Sequence, residues 1–173
     1  MKKVVVIGKP GSGKSTLSRQ LSQARAMPLY PLDSILYHPD GSRRGSDDYT
    51  REHDLVLRSE RWIIDGFGTP GLLNKQIEHA DTVIYIDLPY PISYWLVTKR
   101  MLKGAIIKPK GWPEGSSVIK GSIQSYKTLR LCPGFWNEKF LVQLKARCED
   151  KALHVIRSLK ELEGFSKQVI KQT

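Results

Sequence analysis

The segment that most constrains the fold is GKPGSGKST, which occupies residues 8–16. Gly8 and Gly13 bracket the loop, and Lys14 and Ser15 follow Gly13 directly. Because glycine has no Cβ, this spacing lets the backbone fold tightly around a phosphate chain with its N–H groups pointing inward. A helix that begins at Gly13 would add the positive end of its dipole to the same anion site. The segment therefore predicts a phosphate-binding loop, the P-loop.

The side chains of the P-loop indicate which ligand it holds. Lys14 has the reach and the charge to bind the β- and γ-phosphates of a nucleoside triphosphate, and the hydroxyl of Ser15 suits Mg²⁺. We therefore expect ATP and Mg²⁺ as cofactors. The expected nucleotide contacts are the residues of the loop and of the first turn after it: Gly8, Pro10, Gly11, Ser12, Gly13, Lys14, Ser15 and Thr16.

The sequence on both sides of the P-loop favours this interpretation over the alternative, a glycine- and serine-rich turn at the end of a strand. The preceding run, KKVVVI, has the apolar character of a buried parallel strand. The following segment, 15–25, carries Leu17 and Leu21 at helical spacing. A strand, a glycine-rich loop and a helix in this order indicate a nucleotide site.

Composition bounds the class of protein. With 173 residues, 40% of them hydrophobic and 26% charged, the chain has the balance of one globular domain, which we assign to residues 1–173. No apolar run approaches the ~20 residues that cross a bilayer, so we expect no membrane partner. Cys132 and Cys148 form neither a CxxC motif nor a disulfide framework, which favours the cytoplasm and argues against a structural metal.

The net charge of +11 allows more than one kind of partner. A basic surface can attract nucleic acid, an acidic membrane surface or a substrate rich in phosphate. The basic residues are spread along the chain, with a denser group between 99 and 130. We see no recognition helix, zinc knuckle or aromatic sheet motif, so nucleic acid has no motif in its support.

Acidic residues end three apolar segments that have the pattern of strands. Asp33 follows a short apolar piece, Asp65 ends WIID, and Asp87 ends TVIYID. Parallel strands place their carboxyl ends at the ligand edge of an open α/β sheet. Asp33 has two roles open to it: the N-cap of a short helix at 34–37, and a contact to the acceptor or to the Mg²⁺ water shell. For Asp87 we expect the N-cap of the next helix.

The segment 104–121 is rich in glycine, proline and lysine and shows no period. A loop of this length in a compact domain is a functional lid or a disordered segment, and we expect a basic lid. The weaker candidates for phosphate contacts from this region are listed here: Lys103, Lys108, Lys110 and Arg130. Strand and helix alternate along the whole chain, which predicts a three-layer α/β fold with a mostly parallel sheet.

These motifs together resemble the adenylate-kinase-like P-loop kinases, and among them most closely the small topology modulation proteins. The residues that carry the resemblance are GKPGSGKST, Leu32-Asp33, WIIDGFGTP, TVIYIDLP and Lys99-Arg100. The resemblance covers nearly the whole chain. It implies a five-stranded parallel sheet in the order 2-3-1-4-5, flanked by helices, with a basic lid that closes over the phosphates.

The resemblance also implies roles for single residues. Asp65 aligns with the aspartate that holds Mg²⁺ through water in adenylate kinases. Arg100 falls where the family's lid arginine sits, although a helix-end arginine can also serve as a partner of the helix dipole. The arginine that grips the AMP phosphate in adenylate kinases is replaced here by Gly68 or Thr69. This departure argues against an ordinary adenylate kinase.

The function we expect is an ATP- and Mg²⁺-dependent phosphotransferase. Its acceptor would be a nucleotide, a nucleoside or another small molecule. Lys14, Asp33, Asp65 and Arg100 are the expected catalytic residues, and Ser15 and Asp65 the expected metal ligands; Asp33 and Asp65 compete for organising Mg²⁺ and orienting the acceptor. The alternative is an ATP-dependent nucleic-acid-associated factor, a DNA topology modulator without a small acceptor. The protein is expected to be a monomer or a homodimer.

Overall fold

A computed structural model describes residues 1–35, 42, 44–104 and 118–171, and every structural statement below refers to them. In these ranges five strands form one parallel sheet in the order β2-β3-β1-β4-β5. The strands are β1 (Lys3–Gly8), β2 (Leu29–Pro31), β3 (Trp62–Asp65), β4 (Thr82–Ile86) and β5 (Ala152–Ile156). The expected α/β fold and its strand order are confirmed.

Helices cover both faces of the sheet. Their bounds are α1 (Lys14–Arg25), α2 (Leu32–Ile35), α3 (Ser46–Arg58), α4 (Pro70–His79), α5 (Tyr90–Gly104), α6 (Val118–Leu131), α7 (Glu138–Arg147) and α8 (Leu159–Lys171), with a short 3₁₀ helix at Cys132–Gly134. None of these helices is both long enough and apolar enough to cross a bilayer.

The two faces of the sheet bury two separate hydrophobic clusters, and β1 contributes to both. Val4 and Val6 point into the cluster that also contains α1 residues such as Leu21. Val5 and Ile7 point into the opposite cluster, which extends to the aromatic residues before α7. Successive side chains of a strand alternate between the faces, so a strand covered on both sides must be apolar throughout. This is why the run before the P-loop is uninterrupted.

Two helix starts follow the expected capping chemistry. The hydroxyl of Thr69 accepts the N–H of Leu72 at 3.3 Å and so caps α4, whose first residue is proline. Ser158 caps α8 in the same way, because its hydroxyl accepts the N–H of Glu161 at 3.1 Å. The carboxylate of Glu161 in turn accepts the N–H of Arg157, the residue before the cap, at 2.8 Å and the hydroxyl of Ser158 at 3.1 Å.

Two expected helix boundaries are wrong. Asp33 does not cap a helix at 34–37, because α2 begins one residue before it and Asp33 lies in the first turn. The sequence pattern of 135–148 predicts a helix over that whole segment, but α7 starts at Glu138, because the side chain of Asn137 accepts the N–H of Phe140 at 3.0 Å and caps the helix there.

The segment in which a lid is expected, 104–121, overlaps a helix at each of its ends. The last residue of α5 is Gly104, and α6 already begins at Val118, so both ends of the segment are helical. The part between them, 105–117, lies outside the described residues, and with it Lys108 and Lys110. The lid and the assignment of one domain to 1–173 stay predictions.

Candidate active site

The P-loop occupies the turn between β1 and α1, at the carboxyl edge of the sheet. Gly8, Gly11 and Gly13 have positive φ angles of 150°, 74° and 88°. A Cβ on Gly8 would lie 2.4 Å from the carbonyl oxygen of Ile86, and one on Gly11 would lie 2.7 Å from that of Ser93. Other residues would therefore be strained or would clash at these positions, and the loop keeps the backbone shape that cradles phosphate.

The polar groups of the loop fit an anionic ligand. The hydroxyl of Ser12 is buried and has no hydrogen-bond partner in the described part of the chain. Ser15 and Thr16, in the first turn of α1, are exposed. The N-cap of α1 is Gly13, and no side chain satisfies the first amides of the helix. Free amides at a helix N-terminus are donors for phosphate oxygens.

Lys14 lies inside this cradle. Its ammonium donates a hydrogen bond to the carbonyl oxygen of Lys9 at 2.9 Å. Burial lowers the pKa of Lys14, and the carboxylates of Asp65 and Asp33 act in the opposite direction. Arg100 adds to the lowering of the Lys14 pKa. The charges of three expected catalytic residues, Asp33, Asp65 and Arg100, thus act on the fourth, Lys14.

Asp65 ends β3 beside the P-loop and is 8% exposed. One of its carboxyl oxygens, Oδ1, is buried without a hydrogen-bond partner among the described residues. Burial raises the pKa of Asp65, whereas Lys14 and a hydrogen bond with the Ser15 side chain lower it. An orphaned carboxylate oxygen beside a hydroxyl fits a divalent cation, because Mg²⁺ binds oxygen ligands and would supply the missing partner.

The protein side of such a metal site is sparse. In the described ranges, no group of three or more histidine, cysteine, aspartate or glutamate side chains is placed to hold a metal ion. Mg²⁺ in phosphoryl-transfer sites is held by one or two protein oxygens together with phosphates and water. Ser15 and Asp65 match that pattern, and their role as ligands stays a prediction.

Asp33 is exposed in the first turn of α2 and faces the same site. Its charge acts on Lys14, on Asp65 and on Tyr49 of α3. Tyr49 is 8% exposed, and burial, followed by the Asp33 charge, raises its pKa. A Cβ on Gly68, whose φ is 67°, would lie 3.1 Å from the Tyr49 hydroxyl. The turn at which adenylate kinases have their AMP-binding arginine is thus packed against a tyrosine in this chain.

Arg100 lies on α5 and is tied to the neighbouring helix. Its guanidinium donates a hydrogen bond to the hydroxyl of Ser125 on α6 at 2.7 Å. Burial lowers the pKa of Arg100, as expected for a cation held away from bulk water. Of the weaker candidates that the structure describes, Lys103 and Arg130 are exposed.

The sequence reasoning missed Lys9, Tyr49 and the role of Asp87. Asp87 was expected to cap α5, but its carboxylate instead forms an ion pair with the ammonium of Lys9, the second residue of the P-loop. Lys9 is 2% exposed. A lysine at a variable position of a P-loop gives no signal of burial, so only the three-dimensional structure reveals this pair.

Comparison with known proteins finds kinases. No family model matches the chain. A shikimate kinase from Clostridium botulinum (strain 657) is 28% identical over 124 residues, which cover 63% of this chain and 71% of that protein. A shikimate kinase from Chlamydia muridarum is 27% identical over 146 residues, which cover 75% of this chain and 76% of that protein.

Solved structures share the fold at low sequence identity. The shikimate kinase from Acinetobacter baumannii, solved in complex with shikimate, superposes with a TM-score of 0.56 at 16% identity and covers 99% of this chain and 92% of that chain. The shikimate kinase from Bacteroides thetaiotaomicron gives a TM-score of 0.54 at 14% identity, over 98% of this chain and 96% of that chain. These likenesses show the fold.

The comparisons test part of the family assignment and of the function that the sequence predicts. The sequence relatives confirm the expectation of a phosphotransferase of the P-loop kinase type, and they leave its acceptor open. They do not support the narrower likeness to topology modulation proteins, nor do they favour the alternative of a nucleic-acid-associated factor. The chain is similar to small-molecule kinases.

Proposed function

We propose that this protein is an ATP- and Mg²⁺-dependent kinase that transfers the γ-phosphoryl group of ATP to a hydroxyl of a small molecule. The observation that carries the proposal is the buried carboxylate oxygen of Asp65, which has no hydrogen-bond partner among the described residues and lies beside Ser15 and Lys14. A carboxylate, a hydroxyl and an ammonium at the mouth of a glycine-rich loop are the groups that phosphoryl transfer from a magnesium nucleotide requires.

The cations of the site stabilise the charge on the phosphoryl group during transfer. Lys14 would leave the carbonyl of Lys9 and bind phosphate oxygens instead. Arg100 has a guanidinium whose planar donors match phosphate oxygens. Ser15 and Asp65 would hold Mg²⁺, which would supply further neutralisation of the phosphate charge. Positioning and charge neutralisation account for most of the catalysis in this reaction class.

Asp33 is the proposed acceptor-side base. Its carboxylate is exposed in front of the P-loop, where an incoming hydroxyl would meet it. The acceptor oxygen would attack the γ-phosphorus, the bond from that phosphorus to the bridging oxygen of ADP would break, and the hydroxyl proton would pass to Asp33. Asp65 is then the organiser of Mg²⁺, which divides the two roles that the sequence left open.

The acceptor we propose is a small hydroxylated molecule other than AMP. Gly68 packs against Tyr49 where an arginine would hold the AMP phosphate, so this turn offers no guanidinium to that phosphate. The relatives named shikimate kinases make shikimate the first acceptor to examine. Gluconate follows, from a gluconokinase of Sinorhizobium meliloti with the same fold.

The test is a coupled assay of ADP release with ATP, Mg²⁺ and a panel of acceptors: shikimate, gluconate, nucleosides and AMP. We expect at least one hydroxylated acceptor to raise ADP release above the rate with water, and we expect AMP to fail. The rate should vanish in Asp33→Asn. A panel in which no acceptor raises the rate, together with ATP binding that survives Lys14→Ala, would overturn the proposal.

A further inference from the structure

The P-loop carries a buried charge that the proposed reaction does not use. The ammonium of Lys9 is paired with the carboxylate of Asp87, just beyond β4, and lies 4.8 Å from the centroid of the Tyr90 ring. Burial, followed by the charge of Asp87, raises the pKa of the Tyr85 hydroxyl. Lysine is among the side chains least often buried completely, and it is buried where its charge is paired.

The main chain of the same lysine shapes the phosphate site. The carbonyl oxygen of Lys9 accepts the ammonium of Lys14 at 2.9 Å and the N–H of Ser12 at 3.2 Å. The side chain that pairs with Asp87 therefore belongs to the residue whose backbone closes the loop and accepts the ammonium of Lys14.

The charge of Asp87 would oppose the proposed ligand if it were left unpaired. Its side chain is 23% exposed and follows the strand next to β1, at the edge where the phosphates would bind. A carboxylate close to a triphosphate repels it, and the repulsion is strong where water is partly excluded. Lys9 supplies the matching positive charge from within the loop.

We infer that Lys9 is a positioning residue of the nucleotide site: its ammonium neutralises the carboxylate of Asp87 beside the P-loop, and this neutralisation of charge sets the affinity for the triphosphate. The inference rests on the proposed function, because it takes the P-loop to hold the phosphates of ATP. It adds that phosphate binding depends on Lys9 and Asp87, neither of which is among the residues expected to contact the phosphates.

The test compares ATP affinity and thermal stability in four proteins: wild type, Lys9→Met, Asp87→Asn and the double variant. Isothermal titration with MgATP and MgADP gives Kd, and thermal unfolding gives Tm. Methionine keeps the length of the lysine stem without its charge, so we expect Lys9→Met to bind MgATP about tenfold more weakly. Asp87→Asn should bind MgATP as tightly as the wild type or more tightly, although its Tm falls. The double variant should bind more tightly than Lys9→Met.

Weaker MgATP binding in Lys9→Met but not in Asp87→Asn distinguishes this role from a purely structural one, which would weaken binding in both single variants. Lys75→Met is the matched control, since it breaks an ion pair with Asp54 that joins α3 and α4 (2.9 Å). It should lower Tm and leave the MgATP Kd unchanged.

A weakening below about threefold in Lys9→Met overturns the inference, as does weaker MgATP binding in Asp87→Asn. If Lys9→Met does not fold, Asp87→Asn and the double variant decide alone: both must bind MgATP at least as tightly as the wild type. A wild-type protein that binds no MgATP overturns the proposed function and this inference with it. A wild-type protein that binds MgATP but phosphorylates no acceptor would overturn the proposed function and leave the inference about Lys9 standing.

Discussion

Lys14 donates its ammonium to the carbonyl oxygen of Lys9, five residues earlier in the same loop, at 2.9 Å. The carbonyl of Lys9 thus holds the Lys14 side chain within the P-loop. Burial lowers the pKa of Lys14, and a phosphate that replaced the carbonyl would favour the charged form. The preformed geometry reduces the cost of ordering this side chain on binding.

Lys14→Met should weaken MgATP binding by about 2 kcal/mol, a factor of roughly 30, because a charge-assisted hydrogen bond to phosphate is lost. Isothermal titration measures it. Lys145→Met, which removes an exposed lysine of α7, is the control and should bind MgATP like the wild type. Equal affinities of Lys14→Met and wild type would contradict the assignment of this loop.

Asp65→Asn should change how the stability of the protein depends on pH. Burial raises the pKa of Asp65 above its ordinary value of 3.8, so the folded state binds the proton more tightly than the unfolded state does. The stability of the wild type relative to the asparagine variant should therefore fall as the pH rises from about 3.8 through the folded-state pKa and level off above it. Urea unfolding of both proteins across the acid range measures this difference.

The same variant should lose the response to magnesium. Mg²⁺ together with ATP should raise the Tm of the wild type more than ATP alone does, and the additional rise should be absent in Asp65→Asn. If the metal effect persists in the variant, Asp65 is not the organiser of Mg²⁺, and Asp33 takes that role.

His53 should make the packing of α3 on α4 sensitive to acid. Its ring is fully buried, with Nε2 3.2 Å from the side-chain nitrogen of Gln76, and burial lowers its pKa below 6.5. Asp54, whose carboxylate lies 3.7 Å from Nδ1, opposes this lowering, and Lys75 and His79 reinforce it.

Since the unfolded state gains the proton first, stability should fall as the pH drops below about 6.5. His53→Gln should remove this part of the pH dependence. The free energy of urea unfolding at pH 7.5 and pH 5.5 checks it, and a wild-type protein that loses no more stability between these two pH values than the variant does would contradict the buried neutral ring.

Gly68→Ala should destabilise the protein by about 1–2 kcal/mol, because a Cβ would be strained at a φ of 67° and would press on the Tyr49 hydroxyl. It should also raise the acceptor KM more than the ATP KM, since this turn lies on the acceptor side. Gly71→Ala, in the first turn of α4 with open space around a Cβ, is the matched control and should be neutral or stabilising. Equal effects of the two substitutions would exclude the predicted strain.

Parts of the fold could be predicted from sequence because their determinants are local. The spacing of Gly8, Gly13 and Lys14 specifies a backbone shape, and the alternation of apolar runs with amphipathic segments specifies a parallel sheet. The caps formed by Thr69 and Ser158 are local too, because each hydroxyl accepts an N–H only three residues further along the chain. The start of α7 was missed although its cap, Asn137, is also local, because the aromatic residues before it have the apolar character of a helix face.

The rest of the site depends on contacts between distant residues. Lys9 meets Asp87 across 78 positions, and nothing in either local sequence marks the pair. Tyr49 reaches Gly68 only because α3 folds over the end of β3. A buried polar group needs a partner, so its burial can be predicted only when that partner is known. Pairs between distant residues are therefore found only in the structure.

Phosphoryl transfer to an acceptor can be followed directly by ³¹P NMR of ATP and Mg²⁺ incubated with the protein and the acceptor panel. We expect the γ-phosphate signal of ATP to be replaced by the signals of ADP and of a new phosphate ester with a hydroxylated acceptor, and we expect Lys14→Met to abolish this change. Conversion of ATP to inorganic phosphate alone, at a rate that no acceptor alters, would contradict the proposed function.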